Sequence, residues 1–600
     1  MSIELTEDEQ LLLQQARDWI ADDPERVTQD ELRKLLAVIE NPDMSSQSRG
    51  RSSAALGNLK DRFSGTLQFG TAGLRGAIEA GPNRMNRSVV IKAAAGLGAF
   101  LNEALEGQSP KVAIGYDARH FSEAFAKDSA AVLTAAGCEV VLLPNPLPTP
   151  VLAYTMRRLH ADAGIVVTAS HNPPQDNGYK VYLGGRIVQG DGEGAQIVPP
   201  YDAKIAAKIK LVHSVKETPR AASGWTVLGT DAVKSYVDAV VGLKNNGPRD
   251  LKAILTPLHG VGGDVVDKVL AHAGFENLVS VAEQYEPNPN FPTVSFPNPE
   301  EPGAIDLSLE YAVRFDSDIV LANDPDTDRC AAAVKDPRWA FLHQDAPPKS
   351  PAKLGWRMLH GDEVGSLLGN YVAQAYTAAG QPDGKRTLAN SIVSSRLLAK
   401  IAEKYKLDYA STLTGFKWIS RAPQLLFGYE EALGYCVAPQ LVRDKDGISA
   451  ALMLAELAAQ LKSEGRTIID YLDDLAREHG LYLTDQLSAR FSDLSKIPAT
   501  MSKLRATAPS TLAGSPVVSV DDLSQGIDGL PPTDGLRLLA QDGTRVIVRP
   551  SGTEPKVKCY MEVIESVASD ASFDDLTVAR TNARARMEEV RTDMKAALGL

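Results

Sequence analysis

Thr168-Ala169-Ser170-His171-Asn172-Pro173 lies between an apolar run, Ala163 to Val167, and a stretch rich in chain breakers, Pro174 to Gly178. A serine on a turn at the end of a buried strand is placed to act as a nucleophile, and the Asn-Pro pair fixes the turn. Serine is a weak nucleophile until a base or a metal activates it. His171 and Lys180 are side chains that could move its proton; His171 reads equally well as a hydrogen-bonded structural residue.

Four further loops carry chemistry. Asn323-Asp324-Pro325-Asp326-Thr327-Asp328-Arg329 places alternate carboxylates after an apolar run, Ile319 to Ala322. Asp324, Asp326 and Asp328 would repel one another unless a hard cation joined them, and Mg²⁺ suits few protein ligands with room for phosphate oxygens. Phe69-Gly70-Thr71-Ala72-Gly73-Leu74-Arg75-Gly76 combines backbone freedom with a guanidinium fork for phosphate at Arg75. Arg549-Pro550-Ser551-Gly552-Thr553-Glu554-Pro555-Lys556 joins Arg549, two hydroxyls and an open Gly552 backbone, which together form a phosphate cradle. Gly428-Tyr429-Glu430-Glu431-Ala432-Leu433-Gly434 sets adjacent carboxylates between glycines, able to accept bonds from vicinal sugar hydroxyls. A polar turn with Thr412, Thr414, Gly415 and Lys417 precedes it, and Arg443-Asp444-Lys445-Asp446-Gly447 follows, with Lys445 a candidate for proton transfer.

These loops need elements to hold them. From residue 88 onward, helix and strand patterns alternate: helix 88–105, strand 112–115, helix 121–136, strand 139–143, helix 152–159 and the strand before Ser170. Such alternation predicts βαβ units on a mainly parallel sheet. The pattern restarts near 224 with helix 233–243 and strands 253–255 and 319–322, and again with helix 362–378, strand 387–393 and helices 395–404 and 446–463. Strands at 545–548 and 557–563 and a charged helix at 574–597 close the chain. The fold class expected is α/β, with three successive α/β units of similar length, suggesting duplication of a domain, and a different final unit. The expected divisions are a helical extension at 1–60, then 61–222, 223–340, 341–487 and 488–600. Ser45 to Ser53 reads as a polar loop and Asp336 to Pro351 as an inserted one.

The bulk composition narrows the partners. The 600 residues carry a net charge of −13, which disfavours a general nucleic-acid face. No apolar run nears the ~20 residues of a membrane span, and no signal-peptide core opens the chain. Four scattered cysteines read as reduced, buried thiols of a cytoplasmic protein.

In combination and in order, these loops resemble those of the α-D-phosphohexomutases, the phosphoglucomutase/phosphomannomutase superfamily, from about residue 60 to 600. Phe69 to Arg75, Thr412 to Trp418 and Glu430-Glu431-Ala432 look most like the branch holding phosphopentomutase and related bacterial phosphoglucomutases. The resemblance implies three similar mixed α/β domains plus a C-terminal α+β domain around a central cleft. It implies that Ser170 is a phosphoserine and, with Asp324, Asp326 and Asp328, a ligand of Mg²⁺. It implies that Arg329 contacts phosphate, that Glu430 reads sugar hydroxyls, and that Arg549, Ser551, Gly552 and Thr553 hold the phosphate that is not reacting. Thr414, Gly415 and Arg75 belong to the same substrate set. Lys445 resembles the general acid/base, with His171 and Lys180 in support. Ala432 departs from the serine of many glucose- and mannose-type members, which opens the sugar preference.

The implied reaction interconverts sugar 1-phosphate and 6-phosphate, glucose first, through a sugar-1,6-bisphosphate that also serves as activator. Ribose, deoxyribose and mannose phosphates are the alternative substrates. A sugar-bisphosphate synthase, a haloacid-dehalogenase-type phosphatase with Asp324 as nucleophile, and a non-catalytic sugar-phosphate-binding relative are more distant readings. The expected partners are small sugar phosphates, with a monomer or small homo-oligomer as the assembly.

Overall fold

A computed structural model describes residues 5–40, 46–70, 73–491, 495–551 and 556–600. The strand Lys111–Tyr116 is flanked in parallel by Glu139–Leu142 and Ala163–Val167. Helices Ser122–Ala135 and Thr149–Arg158 make the crossovers, as parallel pairing demands. Asp176–Leu183 then returns antiparallel to Ala163–Val167, and Leu74–Ala77 pairs antiparallel with it in turn.

Here the structure corrects the sequence reading. Asp176, Asn177 and Gly178 are not loop but the start of a strand. Two local features make this possible. The Asn177 amide donates to His120 O and Ser122 Oγ at 2.9 and 3.0 Å, so a buried polar side chain is satisfied. A Cβ on Gly178 would stand 2.6 Å from Thr168 O and 2.8 Å from Leu74 O, so only glycine admits both neighbouring strands. Lys180 therefore sits on a rigid strand.

The second sheet runs Trp356–Met358, Ala331–Lys335, Ile319–Ala322, Lys252–Thr256, Asn277–Ser280. It takes in Trp356–Met358, beyond the division expected at 340, because Ala333 to Lys335 pair antiparallel with those residues. Between the partners, Pro337–Leu342 forms a helix capped by Asp336, where an inserted loop was expected; proline at the first helical position suits that start. The third sheet orders Asp408–Thr412, Thr387–Ser391, Leu425–Glu430, Gly434–Cys436. The fourth is built of six strands, begins at Leu481, and is covered by the helix Phe573–Leu598. Its first strand starts ahead of the division expected at 488 because Leu481 to Arg490 pair along the whole of Lys556–Glu565.

Three helices, Glu7–Asp22, Arg26–Glu40 and Ser46–Arg62, precede the first sheet. The last replaces the polar loop expected at 45–53 from residue 46 onward (Ser45 lies outside the described residues), since Ala55 and Leu59 pack in one apolar cluster with its two neighbours and buried Ser52 donates to Ile39 O at 3.3 Å. Asp22 fastens this hairpin to the first sheet's unit, accepting bonds from Ser214 Oγ at 2.6 Å and Val215 N at 2.8 Å.

One large apolar core runs through the first three units, from Ala113 and Tyr182 through Leu255 and Val320 to Phe427 and Leu454. The fourth has its own core. It joins the third through Glu562, which accepts from Ser395 Oγ, Arg396 N and Arg396 Nε at 2.9, 2.8 and 2.5 Å. Arg545 adds bonds to the carbonyls of Ile392 and Ser394 at 2.9 and 2.6 Å. All four cysteines are buried and unpaired. Among the described residues no helix is long and apolar enough to cross a membrane.

Candidate active site

The strand Ala163–Val167 is buried throughout and leads into the turn at Ser170, which is 3% exposed with φ at 52°. A left-handed serine is costly, and such strain persists only where the surroundings over-determine it. Arg119 supplies that constraint. Its guanidinium donates to the carbonyls of Ser170, Asn172, Pro173 and Asp176 at 2.7, 2.5, 2.8 and 3.2 Å. Buried Asp117 lies 3.4 Å from its Nε. One cation thus gathers the carbonyls of the whole turn.

Ser170 Oγ donates to Asp324 Oδ2 at 2.7 Å and lies 3.2 Å from His171 Nδ1. Asp324, Asp326 and Asp328 are buried, and one oxygen from each lies within 4.8 Å of the others. Asp326 Oδ1 and Asp328 Oδ1 are buried without a hydrogen-bond partner. Hard oxygens converging in this way, some of them orphaned, fit a divalent cation.

Burial, then Asp326 and Asp328, push the Asp324 carboxyl well up. Asp328 goes the other way. Burial would raise it, but Lys180, Lys445 and Arg329 hold it well below the usual range. Lys180 Nζ is 2.7 Å from Asp326 and 2.9 Å from Asp328. Thr149 Oγ1 donates to Asp326 at 2.8 Å, joining the first unit to the second.

Lys445 Nζ lies 3.1 Å from Asp328 and 3.3 Å from Asp444. Burial would lower its pKa, but Asp328, Asp444 and Glu430 raise it above that of ordinary lysine. A Cβ on Gly434 would stand 2.3 Å from Lys445 Cδ and 3.0 Å from Glu430 Cγ, so glycine lets the lysine pass beside the Glu430 loop. Burial raises the Glu430 carboxyl, and Lys445 and Arg329 oppose that rise. Burial, then Arg329 and Arg75, push the His171 imidazole well down, so it is neutral near pH 7. Arg75 donates to Asn172 Oδ1 at 3.2 Å.

The structure therefore brings Ser170, His171, Lys180, Asp324, Asp326, Asp328, Arg329, Glu430 and Lys445 into one region. Ala432 lines a cavity of about 30 Å³ with Glu300, His360, Glu431 and Lys558, room for about one water. Arg549 of the fourth unit donates to Thr414 Oγ1, beside Gly415. Ser551 donates its N–H to Lys556 O at 2.8 Å, while Gly552 and Thr553 lie outside the described residues. Arg119, Thr149 and Glu300 escaped the sequence reading. For Arg119 a signal existed: the charged Asp117-Ala118-Arg119 directly follows a buried strand.

Comparison with known proteins identifies the family. Models of phosphoglucomutase/phosphomannomutase α/β/α domains I, II and III match residues 66–214, 234–337 and 360–479, and the C-terminal domain model matches 489–578. The chain belongs to the phosphoglucomutase/phosphomannomutase family and is a phosphomutase. It is 44% identical over 490 residues to a Haemophilus influenzae protein named "Probable phosphomannomutase", covering 81% of this chain and 94% of the relative. It is 32% identical to a Staphylococcus haemolyticus phosphoglucomutase (85% and 93% covered). It is also 32% identical to a Pongo abelii phosphopentomutase (92% and 91% covered). The crystal structure of a phosphoglucomutase/phosphomannomutase family protein from Burkholderia thailandensis shares the fold, with a TM-score of 0.63 at 19% identity over 88% of this chain and 97% of that one. Family membership sets aside the haloacid-dehalogenase-type phosphatase.

Proposed function

We propose that this phosphomutase interconverts sugar 1-phosphates and 6-phosphates, glucose first, through a phosphorylated Ser170 and a sugar-1,6-bisphosphate. The observation that carries the reading is Ser170 Oγ, hydrogen-bonded at 2.7 Å to one member of a buried three-aspartate cluster. The phosphoryl group on Ser170 passes to a free sugar hydroxyl. That hydroxyl loses its proton as the new P–O bond forms, and Ser170 Oγ gains one as the old bond breaks. The bisphosphate then turns over, and its other phosphoryl returns to Ser170.

Lys445 lies against both Asp328 and the Glu430 loop, so we assign it the proton transfer. Lys180 offsets the charge of Asp326 and Asp328. Neutral His171 supports the Ser170 hydroxyl. Asp324, Asp326 and Asp328 would hold Mg²⁺ together with the Ser170 oxygen, and the ion would supply charge neutralisation to the transferring group. Arg329 acts on the same charge. Arg75, Thr414, Gly415, Arg549, Ser551, Gly552 and Thr553 would grip the distal phosphate, and Glu430 the sugar hydroxyls.

A pentose reading has its own support in Ala432, which offers a water-sized cavity where a serine hydroxyl would bind a hexose, and in the 32% identity to a phosphopentomutase. Rates measured side by side on glucose, mannose, ribose and deoxyribose 1-phosphates, with Mg²⁺ and glucose 1,6-bisphosphate, decide between them. A clear ribose preference moves the assignment to pentoses. No turnover on any of the four rejects all four sugar assignments. Phosphate recovered on a peptide site other than Ser170 rejects the phosphoserine.

A further inference from the structure

Away from the aspartate cluster, a cavity of about 270 Å³ opens where the third and fourth units meet. The helix Ile468–His479 forms one wall; the strand Leu481–Arg490 and the helix Phe573–Leu598 form others. Gly480, with φ at 90°, is the joint between them and lines the space.

One charge on this cavity has no partner among the described residues. Arg357, Arg580 and Arg584 line it, and Arg338 stands next to them on Asp473. Asp473 pairs with Arg338 at 2.7 Å and with Arg580 at 2.9 Å. Asp336 and Glu363 both pair with Arg357 at 2.8 Å. Asp362, on the same wall, already accepts from Ser395 N, the Tyr429 hydroxyl and the Thr484 hydroxyl at 2.7, 2.8 and 2.7 Å, and burial pushes its carboxyl up. Arg584 is half-buried, lines the cavity, and makes no hydrogen bond or ion pair among the described residues. Burial and the neighbouring Arg357 and Arg580 lower its pKa, while Asp336 and Glu363, committed to Arg357, only partly compensate.

A guanidinium kept partly out of water without a counter-charge is costly. An anion from solution would relieve that cost. The remaining wall, including Leu472, Leu475, Leu481 and Met358, is apolar. A cavity of about 150 Å³ holds benzene, so this one has room for roughly ten non-hydrogen atoms.

We propose that this cavity, which adjoins the small Ala432 cavity through His360, Asp362 and Thr484 but lies away from the aspartate cluster, is a second ligand site for a small organic anion: an apolar body carrying one carboxylate or phosphate, with Arg584 as its counter-charge.

Calorimetric titration of the full chain with phenylacetate, phenyl phosphate and inorganic phosphate tests the site. We expect saturable binding of at least one aromatic anion and weaker binding of inorganic phosphate, which lacks the apolar body. The better of the two aromatic probes distinguishes a carboxylate ligand from a phosphate. Affinity should fall about tenfold or more in Arg584→Gln and stay unchanged in Arg549→Gln. Arg584 has no partner to lose, so the thermal midpoint of Arg584→Gln should match or exceed that of the parent. Absence of saturable binding, or equal binding by Arg584→Gln, overturns the proposal. So does loss of binding in Arg549→Gln, which would put the anion in the catalytic cleft, or a lowered midpoint in Arg584→Gln, which would make the guanidinium structural.

Discussion

Replacing Arg119 by alanine should unfasten the Ser170 turn while leaving the aspartate cluster in place. The side chain is 1% exposed and donates to four carbonyls, those of Ser170, Asn172, Pro173 and Asp176. Hydrogen bonds from a charged group contribute about 1.5–3 kcal/mol each. Water can reach the half-buried Asn172, Pro173 and Asp176, so the loss at these three is partly recovered. Ser170 O loses its partner in a closed environment, and Asp117, 1% exposed, loses its counter-charge, a change that costs about 3–5 kcal/mol. The sum is roughly 5–8 kcal/mol against the native turn, more than a left-handed serine can absorb. The turn should open locally.

Displacing a nucleophile by about 1 Å costs on the order of 10²-fold in rate, so kcat should fall at least that far. KM should change little, because Arg119 binds the turn and not the sugar. Arg119→Lys, which keeps the charge beside Asp117 but not the fork, should fall between the two. Steady-state kinetics at saturating glucose 1,6-bisphosphate, together with amide exchange of the peptide around Ser170, measure both effects. A kcat within threefold of the parent (an arbitrary bound, well under ~10²) with unchanged exchange would refute the positioning role.

Three further outcomes follow from the same geometry. Lys445→Ala should lower kcat by about 10²–10⁴ with KM nearly unchanged; a loss confined to KM removes the lysine from proton transfer. Gly434→Ala drives a methyl to 2.3 Å from Lys445 Cδ, so turnover should fall about tenfold or more in a folded protein, and kinetics as active as the parent's would show that the lysine has room to move. Burial would raise Glu363, but Arg357 and the His360 N–H bring it down to about 2, below its ordinary 4.5. Its folded pKa is depressed, so its contribution of about 3 kcal/mol is present above pH ~4.5 and lost as the pH falls toward ~2. Glu363→Gln should flatten acid unfolding in that window, and acid limbs that superimpose on the parent's would contradict the assignment.

How much of this was legible in the sequence depended on range. The Ser170 turn and the Asp324, Asp326 and Asp328 loop announced themselves because each is a local string after an apolar strand. The breaker-rich run at 174–178 misled for the same local reason: what makes Asn177 and Gly178 strand residues is the backbone on either side, Thr168 and Leu74, distant in sequence. The charged Asp117-Ala118-Arg119 after a buried strand marked Arg119 as worth notice, but not its role, because its partners are carbonyl oxygens, which every residue type carries. Glu430 and Lys445 could be named one by one. That a glycine at 434 lets them lie side by side is a property of the folded chain. The helix at 337–342 and the reach of the second sheet to Met358 likewise depend on pairing across an insertion.

The join between the third and fourth units has a consequence of another kind. Apart from a small apolar cluster around Ile392, Val393, Ile547 and Tyr560, the contacts at Glu562 and Arg545 are charged or strongly polar. Groups of that sort are rehydrated when they separate, whereas the continuous core of the first three units has nothing to gain from water. The molecule is thus divided by solvation. The residues that would handle the phosphoryl group lie in the units that share the continuous core, and the unit carrying Arg549 is attached largely by charged and polar bonds, with apolar packing at Ala476 and Tyr482 beside the Ile392 cluster.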